Sequence, residues 1–296
     1  MGFTLIHVSV STTNVVSLAD VALGEVVAVL RGKRVLVLGG AGVSTESGIP
    51  DYRGPESSKT PRNPMRFQQF VGSEAARRRY WARSFAGWRR VADARPNAGH
   101  RALAQLEAAK LPPSGYVTGL VTQNVDGLHQ AAGSRRVLEL HGSLAAVRCL
   151  KCGALSSRRL LQRRLQDLNP EATANPVEHA PDGDAELSGA LEATFQVPPC
   201  ACGGVLKPDV VFFGENVPKP RVLRAYELLA QADVLLVVGS SLTVFSGYRF
   251  VVQAVKDGKP VVILNQGETR GDAAASLKVS GRLGEVLPKL TALLTP

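Results

Sequence analysis

Four cysteines stand in two close pairs, Cys149 and Cys152 in CLKC and Cys200 and Cys202 in CACGG, and the chain has no others. Two thiolate pairs separated by a long excursion are the donor set of a tetrahedral zinc site. Gly153, Gly203 and Gly204 follow the pairs, as the tight turns of a zinc knuckle require. The competing arrangements are disulfides or buried thiols, and disulfides are disfavoured if, as expected, the chain carries no secretory signal. With all four sulfurs engaged, one structural Zn2+ would hold the fold and leave no open position for chemistry.

A second constellation is VLVLGGAGVSTESGIPDYRG, residues 35–54, an apolar burst that turns on glycines. Gly40 and Gly42 fit the first two positions of a dinucleotide loop, where backbone approaches a pyrophosphate and a helix N-terminus favours its charge. Thr45 occupies the third glycine position, and no acidic ribose reader follows about 20 residues on. A ligand-free strand–helix turn therefore competes, and a hydride-transferring dehydrogenase is disfavoured. VTQNVDGLH, residues 121–129, puts Gln123, Asn124 and Asp126 just after an apolar run, where a parallel sheet presents its C-terminal edge. The competing role for these three is loop capping. In LELHG, His141 leaves an extended apolar run beside a glycine, which makes it the best candidate base among five histidines. His100 falls within a helix and reads as structural. Gly239, Ser240 and Ser241 close another apolar run and could admit a second part of the same dinucleotide or form a plain turn. Asn265 follows the last such run, where an amide can bond a ribose.

These side chains need elements to place them. The runs at 34–38, 116–121, 234–238 and 261–264 are rich in Leu and β-branched residues. Uninterrupted apolar strands alternating with helices predict a parallel sheet covered on both faces. Leu18, Val21, Ala22 and Val26 recur at helical spacing. Asn97 starts a helix that the prolines at 112–113 end, and Pro220 suits the first turn of a helix over about 219–231. Residues 165–199 read as loop-rich. The segment 165–206 holds no Lys or Arg, a composition shift that marks a separate surface lobe. The fold class expected is α/β, a Rossmann-like parallel sheet with helices on both faces, a small zinc-binding lobe and a helical insertion.

Composition narrows the partners. With 45% hydrophobic and 20% charged residues the chain is ordinary globular protein. No apolar run reaches the roughly 18–20 residues that span a bilayer. The first Lys or Arg is Arg31, so no secretory or mitochondrial leader is expected, and the expected location is cytoplasmic. A net charge of +10 admits an acidic protein partner, an anionic cofactor or a nucleic acid.

Taken together the stretches resemble the sirtuin family: GAGVSTESGIPDYR (40–53), TQNVD (122–126), LHG (140–142), the cysteine pairs, LKPDVVFFGE (206–215), GSSL (239–242) and LN (264–265), in family order. RYWARSF, LNPEATANPVEHAPDGD and LKPDVVFFGE are similar to the class II group that includes the mitochondrial lipoamidase/ADP-ribosyltransferase-type sirtuins. The resemblance implies an NAD-consuming protein-lysine deacylase, with a protein mono-ADP-ribosyltransferase as the alternative. It implies His141 as general base, Asn124 orienting ribose or water, and Asp126 binding the nicotinamide carboxamide. Gly40, Ala41, Gly42, Thr45, Asp51, Gln123, Gly239, Ser240, Ser241, Asn265, Gln266, Gly267 and Leu283 would complete the NAD site. Tyr52 and Arg53 would cover the ribose. Val210, Val211, Phe212, Phe213 and Gly214 would pair with the substrate peptide as an added strand. Tyr80 and Arg83, spaced i, i+3 on a helix, match a pair that binds acidic acyl groups in desuccinylase-type relatives, so acidic or long acyl groups are expected over acetyl. The chain departs from the family at C-x-C for the second cysteine pair, at Tyr52 for Phe, and at Leu283 for Cys. The expected organisation is one catalytic domain over 15–296. Its Rossmann-like part is 15–50, 96–141 and 208–296, its helical insertion 51–95 and its zinc lobe 142–207. The expected partner is acylated lysine in protein substrates, with no membrane, no nucleic acid and a monomeric state.

Overall fold

The computed structural model describes residues 18–51, 64–109, 115–172 and 189–295. In chain order the elements are α1 (Leu18–Leu30), β1 (Arg34–Gly39), α2 (Phe67–Gly72), α3 (Glu74–Asp93), α4 (Ala98–Ala108), β2 (Tyr116–Thr122), α5 (Leu128–Ala131) and β3 (Val137–Glu139). There follow β4 (Gly142–Cys149), β5 (Leu155–Ser157), α6 (Arg158–Leu168), α7 (Gly189–Thr194), β6 (Leu206–Val210), α8 (Lys219–Gln231), β7 (Val234–Val238), α9 (Phe245–Lys256), β8 (Val261–Leu264), β9 (Leu277–Val279) and α10 (Leu283–Leu294).

Six strands form one parallel sheet in the order β3-β2-β1-β7-β8-β9. Its two halves meet between β1 and β7, the switch point at which open parallel sheets bind ligands. The strands are apolar throughout because both faces are covered. Val35 and Val37 enter a core with α1, α4 and α10, while Leu36 and Leu38 enter a second core with α8 and α9. β7 alternates in the same way: Val234, Leu236 and Val238 go to the first core, Leu235 and Val237 to the second. A period of two thus sorts an unbroken apolar run onto two faces.

β4 pairs antiparallel with β5 and β6 in a separate three-stranded sheet. A third core joins this sheet to the helices before it: Phe70, Tyr80, Trp81 and Phe85 from α2 and α3 pack with Val147, Cys149, Leu161, Leu165 and Leu206. The helical insertion and the cysteine-bearing lobe are therefore one packed unit. Within it Arg158 is almost completely buried, its guanidinium 5.4 Å from the Trp81 ring centre and 4.6 Å from that of Trp88. It donates to the Ser84 carbonyl and hydroxyl and to Gln162 Oε1. Burial lowers it only to about 10, so it remains charged. The stretch expected to be loop-rich begins inside α6, which runs on to Leu168, and carries α7 near its end.

Candidate active site

Two loops build the floor at the switch point. Gly40 and Gly42 lie against Gly239 and Ser240: a Cβ on Gly40 would stand 2.6 Å from the Gly239 carbonyl oxygen, and one on Gly42 3.0 Å from the Gly239 Cα. Gly42 N–H donates to that same carbonyl at 2.8 Å. The loop glycines thus serve close contact between two protein backbones, beyond any approach to a phosphate. Two short 3-10 turns follow, Ala41–Val43 and Thr45–Ser47, where one helix turn was expected. Glu46 reaches across to accept from Gly284 N–H at 3.0 Å, at the start of α10. On the facing loop Leu242 holds φ at 55°, a left-handed conformation unusual for a branched side chain.

A buried network of neutral and acidic groups rises from this floor. The Ser44 hydroxyl donates to Asp126 Oδ2 at 2.7 Å, so it must accept the Asn124 amide at 3.0 Å. Ser44 Oγ also lies 3.4 Å from His100 Nε2. His100 Nδ1 faces the Asn97 backbone N–H and accepts from it, which leaves the proton on Nε2, pointing at Ser44. Asn124 donates in addition to the Gly40 carbonyl at 3.1 Å, tying the network to the glycine loop. Burial raises the Asp126 carboxyl, against hydrogen bonds from Leu128 N–H and Ser44. Burial also pushes His100 down to about 4 and its neighbour His129 to about 3, so both imidazoles are neutral.

His141 occupies the two-residue link between β3 and β4, where the parallel sheet hands over to the antiparallel one. Its Nδ1 lies 3.0 Å from the Gln123 carbonyl, which can only accept, so Nδ1 carries the proton. Nε2 then accepts, and the Ser246 hydroxyl donates to it at 2.8 Å. Burial lowers the imidazole below its ordinary 6.5, opposed by the Gln123 carbonyl and assisted by Arg221 and Arg249. A neutral imidazole whose unprotonated nitrogen borders a cleft has the form that general-base chemistry needs.

Ser44, Asn124, Asp126 and His141 border one cavity of about 1170 Å³, with His100 and His129 behind it. Gly40, Ala41, Gly42, Thr45, Asp51, Gln123, Asn124, Asp126, His141, Gly239, Ser240, Ser241, Asn265, Gln266, Gly267 and Leu283 all border it. So do Val210, Val211, Phe212, Phe213 and Gly214. Tyr52 and Arg53 lie outside the described residues. Tyr80 borders the cavity, its ring 5.1 Å from that of Phe212. Arg83 is not among the lining residues: its Nε donates to Glu192 at 2.6 Å in a partly buried ion pair. Along the peptide segment Val211 N–H donates to the His141 carbonyl and Phe67 N–H to the Phe213 carbonyl. Behind it Lys207 is buried, paired with Glu215 at 2.9 Å and 4.5 Å from the Phe212 ring centre. Sequence reasoning missed Ser44, Ser246 and the wall from Leu242 to Phe245. A hydroxyl beside glycines reads as a loop cap, and only the fold shows which acid or imidazole it meets.

The sulfurs of Cys149, Cys152, Cys200 and Cys202 lie within 4.8 Å of one another. The Cys149–Cys202 and Cys152–Cys200 separations are 3.5 and 3.8 Å. Zinc thiolates at about 2.3 Å in a tetrahedron place sulfurs about 3.8 Å apart, whereas a disulfide needs about 2.05 Å. The residues therefore fit a zinc ion. Backbone N–H groups of Cys152 and Lys151 converge on the Cys149 sulfur and pull its thiol down to about 6, toward the thiolate a metal needs.

The Sir2 family model matches residues 40–246. The chain is 55% identical over 279 residues to NAD-dependent protein deacetylase 1 of Mycobacterium avium (strain 104), covering 92% of this chain and 95% of that one. It is 56% identical over 266 residues to NAD-dependent protein deacetylase 1 of Streptomyces coelicolor, covering 90% and 87%. Among solved structures, a Sir2 complex with a p53 peptide and NAD+ superposes with a TM-score of 0.72 at 30% identity, covering 91% of this chain and 97% of that one.

Proposed function

Because this chain belongs to the Sir2 family, we propose that it is an NAD-dependent protein-lysine deacylase that uses His141 as its general base. The observation that carries the reading is a neutral imidazole, its Nε2 free of any proton, in one cavity with two glycine-bearing loops at a parallel-sheet switch point. NAD would supply the electrophilic ribose carbon: its bond to nicotinamide would break as the acyl-lysine carbonyl oxygen bonds to it. The ribose hydroxyl deprotonated by His141 would add to the acyl carbon, and one water would be consumed as the carbon–nitrogen bond breaks to give free lysine and O-acyl-ADP-ribose. In this reading His141 Nε2 takes the proton of a ribose hydroxyl, and the Ser246 hydroxyl holds that nitrogen until the ribose arrives. The Gln123 carbonyl supports the resulting imidazolium. Asn124, Ser44 and Asp126 hold the nicotinamide end, and Gly40, Ala41, Gly42, Gly239, Ser240 and Ser241 receive the phosphates. Asn265, Gln266, Gly267 and Leu283 take the adenosine end. Zinc shapes the lobe and enters no step.

For the acyl group, Tyr80, Met65 and Phe212 supply an apolar wall that suits chains longer than acetyl. RYWARSF and LKPDVVFFGE, the class II-like stretches, build this wall. A carboxylate-ended chain reaches Arg83 only by exchanging with Glu192. The test is NAD labelled in its ADP-ribose half, incubated with acetyl-, succinyl- and long-chain acyl-peptides. Label in O-acyl-ADP-ribose, with equimolar nicotinamide, is expected. Label fixed on protein without deacylated peptide overturns the reading in favour of ADP-ribosyl transfer. Acetyl turnover equal to that of the longer groups overturns the acyl preference alone.

A further inference from the structure

The cavity has one rim that the deacylase reading leaves idle. Phe245, the first residue of α9, lines the cavity and is 55% exposed. Arg249, one turn on, also lines it, its guanidinium 5.3 Å from the Phe245 ring centre. Arg270, just outside the cavity lining, is 6.0 Å from the same ring centre and 4.3 Å from that of Tyr248, with its Nη1 3.4 Å from the Thr243 carbonyl. Among the described residues neither arginine has an acidic partner. Arg249 Nε is buried with no hydrogen-bond partner at all.

Of the other arginines, Arg90 borders the cavity and donates to the Gly48 carbonyl, and three more are matched with protein acids. Arg148 and Arg221 share Asp209, and Arg83 has Glu192. A buried guanidinium N–H without an acceptor costs the desolvation of that group, and a bound carboxylate recovers it. The planar fork matches both oxygens of a carboxylate, and the two guanidiniums are held in place by stacking on aromatic rings.

We propose that Arg249 and Arg270, set about Phe245, form a subsite for an acidic side chain of the substrate peptide near its acyl-lysine. The inference rests on the deacylase reading for its substrate and gives the enzyme a sequence preference. The peptide is the chosen source of the carboxylate because of where the rim lies. Tyr80 and Phe212, which face the acyl chain, belong to the other core, whereas Phe245 and Arg249 ride on α9 against the parallel sheet. The dinucleotide loops, residues 40–42, 239–241 and 265–267, do not include them. An exposed aromatic ring between two cations suits a residue delivered along the surface. It also gives part of the +10 net charge a purpose.

The test is a panel of acyl-peptides that differ only by Glu, Ala or Lys at each position within three residues of the acyl-lysine. At one or more positions Glu is expected to exceed Ala in kcat/KM by about tenfold, the size of one charge-assisted hydrogen bond, through KM. In Arg249→Gln that ratio should collapse toward one, in Arg270→Gln it should fall, and added salt should shrink it in the wild type. The ratio is taken within each variant, so changes in folding or in His141 cancel. Arg249→Lys, which keeps charge but loses the fork, should be intermediate. A flat wild-type profile, or a ratio unchanged in both glutamine variants, overturns the proposal. A loss confined to the KM for NAD, or to succinyl against acetyl, assigns the arginines to cofactor or acyl group and also overturns it. If no peptide is deacylated the deacylase reading fails, and fluorescence anisotropy of labelled Glu- and Ala-peptides with NAD present still decides the subsite. Equal affinities reject it.

Discussion

The two walls of the cavity handle buried polarity in opposite ways. On the parallel-sheet side burial pushes down three histidines, His100, His129 and His141, and pushes up Asp126. On the lobe side the buried groups are cations, Arg158 between Trp81 and Trp88 and Lys207 against Phe212 beside Glu215. On the sheet side Ser44 bonds Asp126, the Asn97 N–H donates to His100 and Ser246 bonds His141, while the two ring nitrogens of His129 are buried without a hydrogen bond. The lobe side has aromatic faces to lend, and a guanidinium over a ring remains charged. Proton transfer needs the first kind of wall. Holding a helix firmly under a binding site needs only the second.

The contrast can be broken hardest at the cysteines. Chelation, or Cys149→Ser, should remove metal-coupled folding free energy of about 10 kcal/mol from the lobe. Hydrogen exchange should then show lost protection over 142–172 and 189–210, while β1, β7 and β8 remain protected. Equal loss in both regions would show that the walls do not differ. His141→Ala comes next. kcat should fall by about 10²–10⁴-fold while zinc content and melting temperature hold, since its bonds to Gln123 and Ser246 lie at the seam between the sheets.

Arg158→Met should cost about 2–3 kcal/mol through lost cation–π and carbonyl contacts, read as a drop in denaturation midpoint. No change would mean that the buried cation is idle. Acid probes the other wall. His100 and His129 titrate in the unfolded chain near 6.5 but in the fold near 4 and 3. Below 6.5 the unfolded state binds more protons, so stability should fall with pH from 6.5 until the folded values are reached. Each histidine contributes up to about 1.4 kcal/mol per pH unit. His129→Leu should flatten that slope, and an unchanged slope would place the titration elsewhere. The smallest effect is expected from Glu192→Gln. Removing the Glu192 charge that pairs with Arg83 should raise succinyl- relative to acetyl-peptide turnover by about three- to tenfold, and a ratio left where it was would remove this ion pair from acyl selection.

Legibility followed the same divide. β7, β8 and α8 begin and end where apolar runs and Pro220 put them, because a strand buried on both faces writes its burial into consecutive residues. The cysteine cluster was readable from spacing, since donor type and count are local facts. The lobe side was less readable. Around Arg77, Arg78 and Arg79 the helix reads as a solvated face, yet Tyr80, Trp81, Ala82, Ser84 and Phe85 are buried. Arg158 carries no sequence signal of burial, yet Trp81 and Trp88 from α3 close over it. The Glu192 that engages Arg83 lies 109 residues away, a distance no periodicity spans.

The position of β1 also has a consequence in time. It sits between β2 and β7, and Arg34 bonds Asp233, 199 residues later. At a synthesis rate of about 5–20 residues per second, one edge of β1 waits about 10–40 s for its neighbour. During that interval an apolar strand has an open side, and the loop after it has no Gly239 to rest on. A chain stalled short of β7 would therefore carry its first glycine loop without the backbone it packs on, with an edge open to other chains.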